Sequence, residues 1–119
     1  MAIIRIKDLF LRTHIGFNPE ELINKQDVLI NIEIETNIPE DTLENDDPDQ
    51  VYDYKDITKI IINHVQDNSF KLLEVMTQNL LTLILKDKRV IRARVEVDKP
   101  HALRFAKSVS IEMEGTNLA

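Results

Sequence analysis

Three patterns in the 119-residue sequence predict an α+β fold, a four-stranded antiparallel sheet covered on one face by two helices. Apolar and polar residues alternate over 28–34, 91–98 and 109–114, the two-residue period of strands with one buried face. Between them, over 54–86, apolar residues recur at the longer spacing of an amphipathic helix. The order is strand, strand, helix, helix, strand, strand. No repeat, low-complexity tract or linker divides the chain, so 1–119 is read as one domain.

The first strand is irregular: Ile4 and Ile6 point one way, and Leu9 and Leu11 resume one residue out of phase, which predicts a bulge or bend near Asp8. The second carries Val28, Ile30, Ile32 and Ile34 on one face, with Asn31 and Glu33 on the other. Residues 39–50, with Pro39 and Pro48, read as a long surface connection. A helix over 54–67 follows, with Ile57, Ile61 and Val65 on its stripe and Asp53 as N-cap, since a carboxylate there accepts from the free amides of the first turn. Asp67 and Asn68 end it. A second helix over 71–86 has Leu72, Met76, Leu80 and Leu83 on its stripe and Ser69 available as its cap. Ile91, Ala93, Val95 and Val97, then Val109, Ile111 and Met113, mark the last two strands.

Charge and composition narrow the function. The net charge of −6 argues against general nucleic-acid binding, and the acidity is local: Glu40, Asp41, Glu44, Asp46, Asp47, Asp49 and Asp53 fall within 39–53 with no Lys or Arg. Over 86–107, by contrast, Lys86, Lys88, Arg89, Arg92, Arg94, Lys99, Arg104 and Lys107 outnumber Asp87, Glu96 and Asp98, an excess that can attract an anionic substrate. With no cysteine there is no disulfide or thiolate metal site, which fits a reducing compartment. Apolar runs are too short to span a membrane, and the N-terminus lacks the pattern of a signal peptide, so a soluble cytoplasmic protein is expected.

Most of the chemistry is concentrated where the strand over 91–98 ends, in DKPHALRF at 98–105. Pro100 biases Lys99 toward extended geometry, and a partly desolvated lysine can exchange protons near neutral pH. His14, His64 and His101 have no metal-ligand spacing and no HExxH occurs, so no metal site is expected.

Together with THIGFNPEE at 13–21, VYDYKDI at 51–57 and FKLLEVMTQ at 70–78, this segment resembles the dihydroneopterin aldolase family, enzymes of the tunnelling fold that act on reduced pterins. HALRF followed by KSVS at 107–110, and NKQDVLINIEI at 24–34, are similar to the branch that epimerises dihydroneopterin triphosphate at C2' rather than to the aldolases, which usually carry glycine at the position of His101. The resemblance runs from about Ile3 to Glu114.

It implies that such sheets join edge to edge into rings, two four-subunit rings stacking into a homo-octamer, which removes the exposed sheet edges. It implies catalytic roles for Lys99 as general acid/base, Glu21 as the acid that places hydroxyls and water, and Tyr54 beside the pterin as an aid to proton transfer. Glu20 and Tyr52 are the neighbouring alternatives. Glu74 would anchor the guanidine-like pterin edge, with Leu72 and Leu73 beside the ring. His101 and Arg104 would meet the triphosphate, for which a guanidinium fork is suited. The implied reaction is an isomerase's, inversion at C2' by retro-aldol and aldol steps with no cofactor. Aldolase cleavage releasing glycolaldehyde is the alternative, and a silent pterin-binding module a third reading.

Overall fold

The computed structural model describes residues 1–117. Strand β1 runs Ala2–Ile15, helix α1 Pro19–Ile23, strand β2 Gln26–Thr36, helix α2 Glu40–Asn45, helix α3 Tyr54–Asp67, strand β3 Ser69–Phe70, helix α4 Leu73–Leu85, strand β4 Val90–Pro100 and strand β5 Ser108–Thr116. The sheet order is β3-β1-β2-β4-β5. Neighbours are antiparallel except β3, which lies parallel to β1 through His14 opposite Ser69 and Ile15 opposite Phe70. The fold is α+β as expected, but the sheet is five-stranded and mixed rather than four-stranded and antiparallel. A two-residue strand has no period to read in sequence.

The alternation in β2 is borne out, with Val28, Ile30, Ile32 and Ile34 all buried. They meet Ile57, Ile61 and Val65 of α3 and Met76, Leu80 and Ile84 of α4 in one core, where burial of each large aliphatic side chain contributes roughly 1.5–3 kcal/mol. The bulge in β1 also forms: pairing shifts between Ile6 and Leu9, and Asp8 turns to φ 52°. Asn31 secures it, its side-chain oxygen accepting from the Asp8 amide at 2.9 Å. Asp53 caps α3, accepting from the Lys55 and Asp56 amides at 2.9 and 3.1 Å.

Four details depart from the sequence reading. The connection over 39–50 contains α2 and a short 3-10 turn, Pro48–Gln50, tied together by the Thr42 hydroxyl donating to Gln50 at 3.0 Å. Ser69 does not cap α4, because β3 takes it into the sheet; Leu72 occupies the cap position and offers no side-chain acceptor. The buried stripe of α4 is rotated, with Leu73, Leu81 and Ile84 inside, Leu72 exposed and Leu83 half-buried. In β4 Val90 is buried in place of Ile91, since the pairing slips between Glu35 and Thr36 and leaves Ile91 as the extra residue.

The face of the sheet away from the helices is ionic. Glu33 accepts from Arg5, Arg92 and Arg94 at 3.0, 3.2 and 3.3 Å, and Arg92 and Arg94 continue to Glu114 and Glu112 at 2.6 and 3.0 Å. Desolvation works to raise the Glu33 carboxyl, but the three guanidinium groups outweigh it and hold it below the usual range. Much of the basic excess over 86–107 is therefore neutralised locally: Arg92 and Arg94 here, and Arg89 by Asp87 at 2.6 Å.

Candidate active site

β4 ends at the same end of the sheet as the β1–β2 connection, since Asp98 pairs with Leu29 and Thr13 with Gln26. α1 sits in that connection, and its Glu21 carboxylate forms an ion pair and hydrogen bond with the Lys99 ammonium. Both side chains are largely withdrawn from solvent, at 17% and 14% exposure, which strengthens their attraction relative to a surface pair. The hydrogen bond from Lys99 is the main cause that holds the Glu21 carboxyl below its usual value near 4.5, with burial opposing it. Glu20 stays exposed, so geometry selects between the two adjacent acids.

Glu21 is held from behind by a reciprocal cap. The Asn18 side chain accepts from the Glu21 amide at 2.9 Å, and a Glu21 carboxylate oxygen accepts from the Asn18 amide at 3.5 Å. Gly16 makes this approach possible. Its φ is +125°, and a Cβ there would overlap the Glu21 carboxylate. Gly16→Ala is expected to displace Glu21 from Lys99 and so to let the Glu21 carboxyl rise back toward its usual value; an NMR titration of Glu21 in both proteins checks this. Neither Asn18 nor Gly16 was singled out from sequence, although the N-P-E-E run after a glycine carries a helix-start signal.

β3 shapes the neighbouring wall. The Gly16 amide donates to the Phe70 carbonyl at 2.9 Å, and the Thr13 hydroxyl donates to the Val65 carbonyl at 2.7 Å, fixing the end of β1 against the end of α3. The result is a cleft of about 160 Å³ lined by His14, Gly16, Glu21, Leu22, Ser69, Phe70 and Lys71. Just beyond it α4 begins, with exposed Glu74 in its uncapped first turn. Leu72 is exposed beside it, whereas the Leu73 side chain turns into the core.

His101 and Arg104 lie on the exposed turn between β4 and β5, His101 at φ 65° and Arg104 with its guanidinium 5.9 Å from the Phe105 ring. Tyr54 is not brought to Lys99 within the chain. It opens α3 and lines an apolar hollow with Ala2, Ile4 and Thr36, and Ala2 opposite Thr36 is the far end of the ladder that finishes at Thr13 and Gln26. At about 3.3 Å per residue the two ends are roughly 35 Å apart. Tyr52 is buried, its phenol pushed up to about 12 chiefly by burial, and Arg89 lies 5.6 Å from its ring, so Tyr54 is the exposed tyrosine.

The profile of the dihydroneopterin aldolase family matches residues 4–114. The chain is 55% identical to a dihydroneopterin triphosphate 2'-epimerase of Pseudomonas aeruginosa, over 97% of this chain and 93% of that one. It is 46% identical to the Escherichia coli enzyme of the same name, over 94% and 92%. A crystal structure of E. coli dihydroneopterin aldolase in complex with neopterin superposes with a TM-score of 0.89 at 26% identity, covering 97% of this chain and 99% of that one.

Proposed function

The chain belongs to the dihydroneopterin aldolase family, and from that premise we propose that it is a dihydroneopterin triphosphate 2'-epimerase, giving the dihydromonapterin triphosphate. The observation that carries the branch is identity of 55% and 46% with two epimerases against 26% with the aldolase structure, over nearly the whole chain in each case.

The Lys99–Glu21 pair is the reacting centre of this reading. Loss of the proton from the 2'-hydroxyl lets the C1'–C2' bond break, forming an aldehyde at C2' while the bond's electrons flow into the C6–N5 imine and N5 gains a proton. The dihydropterin is its own electron sink, so the protein must move protons and hold two fragments. Lys99 exchanges the hydroxyl proton. Glu21, held below its usual range, is a weak base but a good charged acceptor, suited to orienting hydroxyls. If the aldehyde turns its other face and recombines, C2' is inverted; if it leaves, the outcome is aldolase cleavage. Glu74 would grip the pterin edge with Leu72 beside the ring, and His101 and Arg104 would meet the triphosphate.

Tyr54 enters this site only from a second copy of the chain, because its own Lys99 is at the far end of the sheet. Exposed Phe10, Phe17, Leu22, Ile23, Leu103 and Phe105 supply apolar surface for such contacts. The assembly proposed is the family's octamer of two four-subunit rings. Sedimentation should therefore give about eight times the 13.8 kDa chain mass, and a monomer at micromolar concentration would remove the shared site.

Chromatography of the side-chain epimers tests the reaction, run on dihydroneopterin and on its triphosphate. Inversion of the triphosphate is expected to dominate and to run faster than inversion of the unphosphorylated pterin. Release of the two-carbon aldehyde as the main outcome, glycolaldehyde from dihydroneopterin or its triphosphate ester from the triphosphate, would assign the protein to the aldolases.

A further inference from the structure

Helix α1 presents the Glu21 carboxylate to Lys99, yet none of its five residues is buried, so core packing does not hold it. A helix this short is marginal by itself, because its few backbone bonds cannot offset the ordering of the first turn. What fixes it within the chain is Asn18. The Asn18 carbonyl accepts from the Leu22 amide at 3.1 Å, its side-chain oxygen accepts from the Glu21 amide at 2.9 Å, and its own amide donates to Glu21 Oε1 at 3.5 Å. Pro19 follows at the start of the helix, where its fixed φ suits the turn and its missing N–H leaves nothing unpaired.

The two oxygens of the Glu21 carboxylate therefore have separate partners. Oε2 accepts from the Lys99 ammonium, and Oε1 is turned toward the Asn18 amide. Lys99 is the chief cause that holds Glu21 below its usual value, and the Asn18 amide adds to it. Without the Asn18 side chain the Glu21 amide loses its acceptor, the first turn of α1 loosens, and both carboxylate contacts slacken with it. Resting on the function proposed above, we infer that Asn18 is a positioning residue for the reaction, its cap setting the direction in which Glu21 meets Lys99 and the substrate hydroxyls. It acts through Glu21 and exchanges no proton.

The test compares the wild type with Asn18→Ala, which removes the cap, and Asn18→Ser, which restores a side-chain oxygen. Asn18 is exposed, so either change leaves the core intact. Hydrogen exchange at the Glu21 amide should quicken about fivefold in Asn18→Ala, the size of one lost cap, and return toward wild type in Asn18→Ser. The midpoint of the Glu21 carboxyl carbon, followed by NMR against pH, should rise toward its usual value in Asn18→Ala and come back in Asn18→Ser. Turnover should fall and recover in the same order. A merely structural cap would lower the melting temperature of Asn18→Ala and leave Glu21 titrating as in the wild type, which would overturn the positioning role. Turnover unchanged in an Asn18→Ala protein whose titration has moved would overturn it as well. If none of the three proteins forms an epimer while exchange and titration move as expected, the hold of Asn18 on Glu21 stands and only the reaction assigned above falls.

Discussion

Lys99→Ala is expected to abolish inversion and aldol cleavage together, lowering kcat by roughly 10²–10⁴-fold, the usual contribution of a positioned acid/base group. Both outcomes share the bond-breaking step, so a residue that serves this step cannot be lost from one alone. Lys99 lies at the next-to-last position of β4, beyond the buried Val95 and Val97, so the core should survive its truncation. Turnover within threefold of wild type would sink the assignment. The pair also carries a stability signature. Glu21 has a folded value below its usual 4.5, so its contribution is present at neutral pH and is lost as pH falls through the folded value. Without Lys99 the main cause of that depression is gone. The stability gap between wild type and Lys99→Ala should therefore be open at pH 7 and close in acid, which urea melts across pH would read.

Glu74→Ala is expected to act on binding. A carboxylate that accepts two parallel hydrogen bonds from the amino group and ring N–H of a pterin contributes roughly 2 to 4 kcal/mol, or about 30- to 1,000-fold in affinity. Glu74 is exposed in the first turn of α4, where no side chain caps the helix, so its removal disturbs little of the fold. Direct titration with a non-reactive pterin decides it, and unchanged affinity would refute the role. The contrast with Lys99 is in the kinetics: Glu74→Ala should act mainly through KM, Lys99→Ala through kcat.

The architecture was legible wherever a periodic pattern could run. β2 and the buried face of α3 follow directly from Val28, Ile30, Ile32, Ile34 and from Ile57, Ile61, Val65, and the bulge at Asp8 was visible as a phase slip. β3 was not, because two residues repeat nothing, and its pairing with β1 also removed Ser69 from the cap that sequence offered it. The family was legible from four motifs along the chain, and the candidate site was drawn from them by resemblance. Which of Glu20 and Glu21 meets Lys99 was decided by the turn of α1.

By itself the sequence determined the strand and helix periods, the Asp53 cap, the local acidity of 39–53 and the residue types able to move protons. These depend on neighbours within a few positions, where backbone geometry dictates which side chains share a face. Only the tertiary structure decided that Glu21 and Lys99, far apart in sequence, close into one ion pair at one end of the sheet, that Gly16 must lack a side chain to let them, and that Tyr54 stands at the opposite end. Such contacts depend on strand order and register, which long-range packing sets and no local pattern encodes.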